Sequence, residues 1–117
     1  MRRTLVAASV ALALALPTHA PAHAFLDHAS PRVGSSVQRS PPEVRLWFSQ
    51  ELEPAFSTLS VQDAAGKRVD NGDAKVAQDT MQVSLPALAA GRYTVKWRAL
   101  SVDTHVTEGD FTFEVQP

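Results

Sequence analysis

A strict alternation of apolar and polar residues runs through residues 92–99, and it limits the folds open to this chain more than any other feature. Because successive side chains of a β-strand point to opposite faces of the sheet, a period of two predicts a half-buried strand. The same pattern recurs in shorter runs at residues 44–48, 59–61, 81–85 and 111–115. After residue 22 no segment shows a sustained helical period, so we predict an all-β fold.

Turn-forming residues separate these runs. Pro and Gly break strands and Asn and Asp favour tight turns, and clusters of them occur at residues 41–42, 54, 63–66, 71–72 and 89–91. Residues 26–30 fit a first strand that ends before Pro31. Six or seven short strands at this spacing predict an antiparallel, immunoglobulin-like (Ig-like) β-sandwich that forms a single domain.

The N-terminal segment has the pattern of an export signal. Arg2 and Arg3 precede an uncharged apolar stretch at residues 5–16, which is too short to span a bilayer as a helix. Two small-residue frames suit a signal peptidase. One removes residues 1–22 and leaves His23 first, and the other cuts before Phe25. The residues alone leave both frames open.

Charge and composition exclude several classes of function. The chain has 11 Lys+Arg against 12 Asp+Glu, so it lacks the basic surplus of a general nucleic-acid binder. It has no cysteine, which excludes a disulfide framework, a zinc ribbon and a thiol nucleophile. A metal site in this chain must therefore use His, carboxylates, Met, backbone groups or a terminal amine.

Two segments could supply metal ligands. In an extended segment the side chains of Asp103 and His105 project to the same side and can converge on one ion. This D-x-H pattern is weak alone, because a surface Asp and His at a strand end are common. If cleavage leaves His23 first, its α-amine and its ring Nδ1 can chelate one metal. Such nitrogen and oxygen donors suit Cu(II).

Other residues are weaker candidates for a functional site. His28, beside Asp27, is five residues from His23, so in one regular strand the two rings would face opposite sides. Glu51 and Glu53 could suggest paired carboxylates for glycoside chemistry, but this spacing is common on a solvated strand edge. The chain has no G-x-S-x-G motif and no glycine-rich phosphate loop.

The ordered motifs of residues 23–115 resemble the CopC family of periplasmic copper-binding proteins. The segments that carry this resemblance are His23-Ala24-Phe25-Leu26-Asp27-His28-Ala29-Ser30-Pro31, Pro42-Glu43-Val44-Arg45-Leu46-Trp47-Phe48-Ser49, Gly91-Arg92-Tyr93-Thr94-Val95-Lys96-Trp97-Arg98, Ser101-Val102-Asp103-Thr104-His105 and Gly109-Asp110-Phe111-Thr112-Phe113. Each motif is modest alone, but their order and spacing are specific.

The resemblance implies an Ig-like Greek-key β-sandwich or barrel of about seven antiparallel strands, exported to the periplasm. It implies that residues 1–22 are a signal peptide and that residues 23–117 form a monomeric CopC-like domain. It also implies one Cu(II) per chain, bound by His23, Asp103 and His105. In this arrangement, a histidine brace, His23 binds through both its amine and its ring. A copper-transporting inner-membrane protein is the family's usual partner.

The chain departs from the family pattern at two points. Some relatives carry a second, Met-rich Cu(I) site, but the only methionines here are Met1 and Met81, so we expect a Cu(II)-only member. Thr104 stands where many relatives have Gly, and we expect a local backbone adjustment there. The resemblance leaves the role of His28 undecided, and we expect it to be at most a residue that supports the ligands without binding the metal.

We expect a role in copper tolerance, sequestration or delivery, without enzymatic activity. Two alternatives belong to other classes. One is an oxidative copper enzyme with a histidine brace, and it would need an open position for oxygen and a substrate surface. The other is a metal-free Ig-like interaction domain, which would bind Cu(II) no better than an ordinary exposed histidine does.

Overall fold

The computed structural model describes residues 24–117, which form eight β-strands and one short 3₁₀ turn. The strands are β1 (Leu26–Ser30), β2 (Ser36–Val37), β3 (Glu43–Phe48), β4 (Thr58–Gln62), β5 (Lys75–Ala77), β6 (Thr80–Ser84), β7 (Gly91–Leu100) and β8 (Val106–Val115), and the 3₁₀ turn is Pro54–Phe56. The prediction of an all-β sandwich is confirmed.

The strands form two four-stranded sheets. The first sheet has the order β1-β3-β6-β5 and the second has the order β2-β8-β7-β4. Neighbouring strands are antiparallel except β2 and β8, which are parallel. The predicted count of about seven antiparallel strands therefore differs slightly from the eight observed, because β2 and β5 have only two and three residues and are too short to show an alternation.

The core between the sheets consists of the apolar sets that the alternation identified. Val44, Leu46 and Phe48 of β3 are buried, and they face Val95 and Phe113 of the second sheet across the same cluster of buried residues. The residues between them on each strand are partly or fully exposed. Burial of these apolar side chains contributes roughly 25 cal/mol per Å² removed from water.

Trp97 requires a glycine on the neighbouring strand. Gly109 pairs with Trp97 across the β7–β8 ladder, and a Cβ atom at Gly109 would lie 2.5 Å from Cζ2 of the Trp97 ring. The indole therefore lies against the backbone of β8, and it also makes an edge contact with Phe48 at a centroid distance of 5.1 Å. This close approach explains a glycine inside a strand.

Several connections meet at one end of the sandwich. The β7–β8 hairpin turns at this end. Residues 77–80, which connect β5 to β6, lie at the same end, because Thr80 pairs with Trp47 near the end of β3. The segment that joins β3 to β4 closes this end through a bridge between Leu52 and Ser101. We call this region, residues 24–25, 49–58, 77–80 and 98–108, the hairpin end.

The N-terminal predictions fall outside the part of the chain that the structure describes. These are the signal peptide at residues 1–22, its cleavage site and the position of His23. Within residues 24–117, no helix has the length and apolar character needed to cross a bilayer.

Candidate metal centre

The loop between β7 and β8 brings Asp103 and His105 together. The Oδ1 atom of Asp103 lies 3.5 Å from Nδ1 of His105, and the two side chains are 44% and 48% exposed. Ligand atoms that bind one ion at about 2 Å each can be at most about 4 Å apart. The observed separation therefore lets one ion contact both side chains, although they meet across a turn at residues 102–104 and not along the extended segment that we assumed.

Ser101 holds this loop in place through hydrogen bonds from the protein interior. Its side chain is completely buried, and its hydroxyl donates a hydrogen bond to Oδ1 of Asp103. The same hydroxyl accepts a hydrogen bond from the backbone N–H of His105 at 3.3 Å, and the Ser101 N–H donates to the His105 carbonyl at 3.0 Å. The sequence analysis quoted Ser101 only as part of a motif and missed this role, for which the only signal was a serine two residues before an aspartate in a turn.

The hydrogen bond from Ser101 is the largest influence on the Asp103 carboxyl, and it lowers the pKa of that group. Partial loss of solvent opposes this effect, whereas the hydrogen bond and charge of His105 add to it, and the net pKa is below the ordinary value. Asp103 is therefore fully ionised at neutral pH, which is the form that binds a cation.

Thr104 adopts a left-handed backbone conformation, with φ of 75°. An L-residue with a Cβ atom is disfavoured there by roughly 1–2 kcal/mol, whereas glycine adopts it freely. The Thr104 hydroxyl donates to the carbonyl of Asp103 at 2.5 Å, and its N–H donates to the Ser101 carbonyl at 2.9 Å. Thr104 therefore occupies a backbone conformation that favours glycine.

The first described residues are held close to this loop. Ala24 is completely buried, and its carbonyl accepts a hydrogen bond of 2.6 Å from Oγ1 of Thr107, two residues beyond His105. The N–H of Phe25 donates to Oγ of Ser49 at 2.9 Å, and its carbonyl accepts from the Ser49 N–H at 2.9 Å. The chain therefore enters the fold beside the D-x-H loop. His23 directly precedes Ala24, and its role as a ligand stays a prediction.

His28 has partners elsewhere. Its ring stacks on Trp47 with a centroid distance of 4.3 Å and an interplanar angle of 9°, and its Nδ1 lies 2.7 Å from Oδ2 of Asp27. Both rings lie on the outer face of the first sheet, because the neighbouring residues Leu46 and Phe48 point into the core. His28 is thus engaged on a sheet face and not in the D-x-H loop.

Within residues 24–117, no group of three or more His, Asp or Glu side chains is arranged to hold a metal ion. The described part of the predicted ligand set is therefore the pair Asp103 and His105. Met81 is 1% exposed and belongs to the hydrophobic core, so its thioether sulfur is not presented to solvent.

Comparison with known proteins gives a consistent result. The CopC domain model matches residues 26–116. The chain is 35% identical over 99 residues to Protein YobA of Escherichia coli strain K12, covering 81% of this chain and 80% of that protein. The crystal structure of CopC from Methylosinus trichosporium OB3b is similar, with 41% identity, a TM-score of 0.71 and coverage of 81% of this chain and 95% of that one.

PcoC of Escherichia coli, described as a methionine-rich copper resistance protein, is also similar, with 33% identity and a TM-score of 0.71. That match covers 81% of this chain and 100% of PcoC. The two-sheet architecture, the D-x-H loop and the match of the family model over almost all described residues therefore lead to one assignment. The chain belongs to the CopC domain family.

Proposed function

We propose that this protein is an exported Cu(II)-binding protein for copper tolerance, sequestration or delivery in the periplasm. In this proposal, removal of residues 1–22 leaves His23 as the first residue. One Cu(II) then binds to the α-amine and ring Nδ1 of His23, to the carboxylate of Asp103 and to the imidazole of His105. The similarity to PcoC, whose description names copper resistance, supports the choice of metal.

The anchoring of Ala24 is the observation that carries this proposal. Thr107, two residues beyond His105, donates the hydrogen bond that holds Ala24, so a terminus created at His23 would directly precede this anchor. A terminal amine would therefore start within reach of the loop that presents Asp103 and His105. Ligands on a preorganised scaffold bind with a smaller loss of conformational entropy than ligands on a free chain.

The donor set favours the oxidised ion. Imidazole, amine and carboxylate groups suit Cu(II), whereas Cu(I) prefers thiolate and thioether sulfur. The chain has no cysteine, and Met81 is buried in the core. The ionised Asp103 also adds a negative charge, which stabilises the higher oxidation state. We therefore propose a Cu(II)-only protein and not a carrier with a second, sulfur-rich site.

We propose binding and exchange of copper, not catalysis. Asp103 and His105 are each about half exposed, so a bound ion would be accessible to a donor or an acceptor protein. The carboxylate of Asp103 would occupy a coordination position that an oxygen-activating enzyme must keep open. In this proposal the protein acts as a monomer and exchanges copper with a transport protein of the inner membrane.

The mass of the exported protein followed by titration with Cu(II) tests the proposal directly. Intact-mass measurement should show a chain that begins at His23. Titration monitored by electron paramagnetic resonance should then show one tight site with a tetragonal nitrogen and oxygen signature. A chain that begins elsewhere, a stoichiometry other than one, or reductant-dependent oxygen consumption at steady state would contradict it.

Replacing Ser101 tests whether the loop is preorganised. In Ser101→Ala the carboxylate of Asp103 loses its hydrogen-bond donor, so we expect Cu(II) affinity to fall by about 10–100-fold, as for other residues that orient metal ligands. Calorimetric or competition titration measures this change.

The matched control for this variant is Ser57→Ala. The hydroxyl of Ser57 accepts a hydrogen bond from the Leu100 N–H at 3.1 Å, so this variant also loses a serine hydrogen bond at the hairpin end, but one that does not involve Asp103. We expect it to destabilise the fold without changing Cu(II) affinity. Equal losses of affinity in both variants would show that Ser101 acts only through general stability.

A further inference from the structure

Exposed hydrophobic side chains are concentrated at the hairpin end. Among residues 24–117, five large hydrophobic side chains are exposed, and four of them, Phe25, Phe56, Val102 and Val106, lie at this end. The fifth, Val33, lies beyond the opposite end of β1. Phe56 and Val106 line one cavity, and shared apolar surface commonly marks an interaction site, whereas single exposed residues do not.

Part of this surface is a groove that begins beside the D-x-H loop. Phe56, Thr58, Arg98, Leu100 and Val106 line a cavity of about 250 Å³. Val106 directly follows His105 in the chain. Pockets for small molecules usually have volumes of about 300–1,000 Å³. The groove is below this range, so its size suits one inserted side chain better than a complete small molecule.

The charges of the hairpin end are strongly unbalanced. One basic residue, Arg98, lies there and pairs with Glu108 at 3.8 Å. The rest of the described chain is nearly balanced, with seven acidic and eight basic residues. The hairpin end has five carboxylates, those of Glu51, Glu53, Asp79, Asp103 and Glu108. The net negative charge of residues 24–117 is therefore located where the groove and the D-x-H loop lie.

The distribution of charge favours one kind of binding partner at the hairpin end over others. A second copy that approached with the same end would place like charges together, which costs free energy. An anionic membrane surface and a nucleic acid would be repelled for the same reason. A protein surface with Lys and Arg around an apolar side chain would complement both the groove and the acidic side chains elsewhere at the hairpin end.

We propose that the hairpin end is the docking surface for a protein partner that inserts one apolar side chain into the groove between Phe56 and Val106 and surrounds it with basic side chains. This inference rests on the proposed function only in the nature of the partner, a protein that gives copper to the D-x-H loop or takes it away. Docking beside His105 would bring the ligands of such a protein close to the bound ion and shorten the exchange path.

Short synthetic peptides test the recognition without copper. The probe is a capped peptide with one central leucine between two pairs of arginines. One control peptide has glycine at the centre, and another has glutamates in place of the arginines. Titration of the copper-free, ¹⁵N-labelled exported protein should shift the amide signals of Thr58, Leu100 and Val106. The two control peptides should bind about tenfold more weakly or not at all.

Variants locate the binding surface. Phe56→Ser should weaken the leucine peptide about tenfold, whereas Val33→Ser, an equivalent change of an exposed hydrophobic residue at the other end, should have no effect. The pair Glu51→Gln and Glu53→Gln should weaken binding and reduce its dependence on salt. Because Phe56 is 65% exposed, its replacement leaves the folded core intact.

Three results would overturn the inference. They are shifts scattered over the surface, equal binding of the glutamate peptide, and concentration-dependent shifts of the same amides without peptide, which would identify a second copy as the occupant. All these measurements use the copper-free protein. A failure of Cu(II) binding would therefore leave this result intact, and a failure of peptide binding would leave the proposed copper site intact.

Discussion

A chain that carries one extra residue before His23 should bind Cu(II) at least about 100-fold more weakly than the chain that begins at His23. The added residue converts the α-amine into a peptide nitrogen and so removes one ligand of the proposed chelate. Loss of residues that only orient a ligand typically costs 10–100-fold, and loss of a ligand itself should cost more. Competition titration against a chelator of known affinity measures the difference.

The dependence of affinity on pH identifies the amine as the ligand. An α-amine has a reference pKa of about 7.7–8.0 and must lose its proton to bind metal. Affinity of the chain that begins at His23 should therefore increase with pH up to about 8. The extended chain should lose this part of the pH dependence, because it has no amine at that position.

Histidine variants provide matched controls. His105→Ala should lower affinity as strongly as the extension does, whereas His28→Ala should have a much smaller effect, because the His28 ring is held by Trp47 and Asp27 on the outer face of the first sheet. Full affinity in a chain that carries both the extension and His105→Ala would refute the proposed ligand set.

Phe113→Ala should lower the free energy of unfolding by about 3–5 kcal/mol. Phe113 is 1% exposed and stacks on Tyr93 with a centroid distance of 5.6 Å, so its removal leaves a cavity between β8 and the opposite sheet. Domains of this size are stable by only about 5–15 kcal/mol. The variant should therefore lose a large share of its stability, and urea titration followed by circular dichroism measures the change.

The control for this variant is Phe56→Ala. Phe56 is 65% exposed, and a surface substitution of this kind usually changes stability by less than about 0.5 kcal/mol. If the two phenylalanine variants had similar stability, the core would not be the one described here. In the Phe113 variant, the folded fraction should bind Cu(II) as the unaltered protein does, because Phe113 lies eight residues from His105 along the strand.

The strands that could be predicted from sequence are those with one buried face. In β7 and β3 the alternation of apolar and polar residues follows the observed burial closely. The first half of β8 was missed, because residues 106–110 are polar or exposed and Gly109 only accommodates the ring of Trp97. The parallel pairing of β2 with β8 has no sequence signal, since a two-residue strand shows no periodicity.

The site was predictable where its ligands are adjacent in sequence. Asp103 and His105 share one turn, so a local pattern identified them. Ser101 is also local, but its role depends on the hydroxyl pointing inward from a buried position, which composition does not encode. The contact between Ala24 and Thr107 joins residues 83 positions apart, and only the tertiary fold reveals it.

Because of the hydrogen bond between Thr107 and Ala24, the position of the N-terminus should affect copper binding much more than it affects folding. The bond fixes residue 24 within the fold, so start points that differ only before residue 24 should leave the sandwich, its secondary structure and its melting behaviour unchanged. A preparation with mixed start points would appear uniform by all of these criteria and yet separate into two populations in a copper titration. If copper binds at the proposed site, a tag fused before His23 would leave the protein well folded but without its Cu(II) affinity. A tag placed after Pro117 would avoid this.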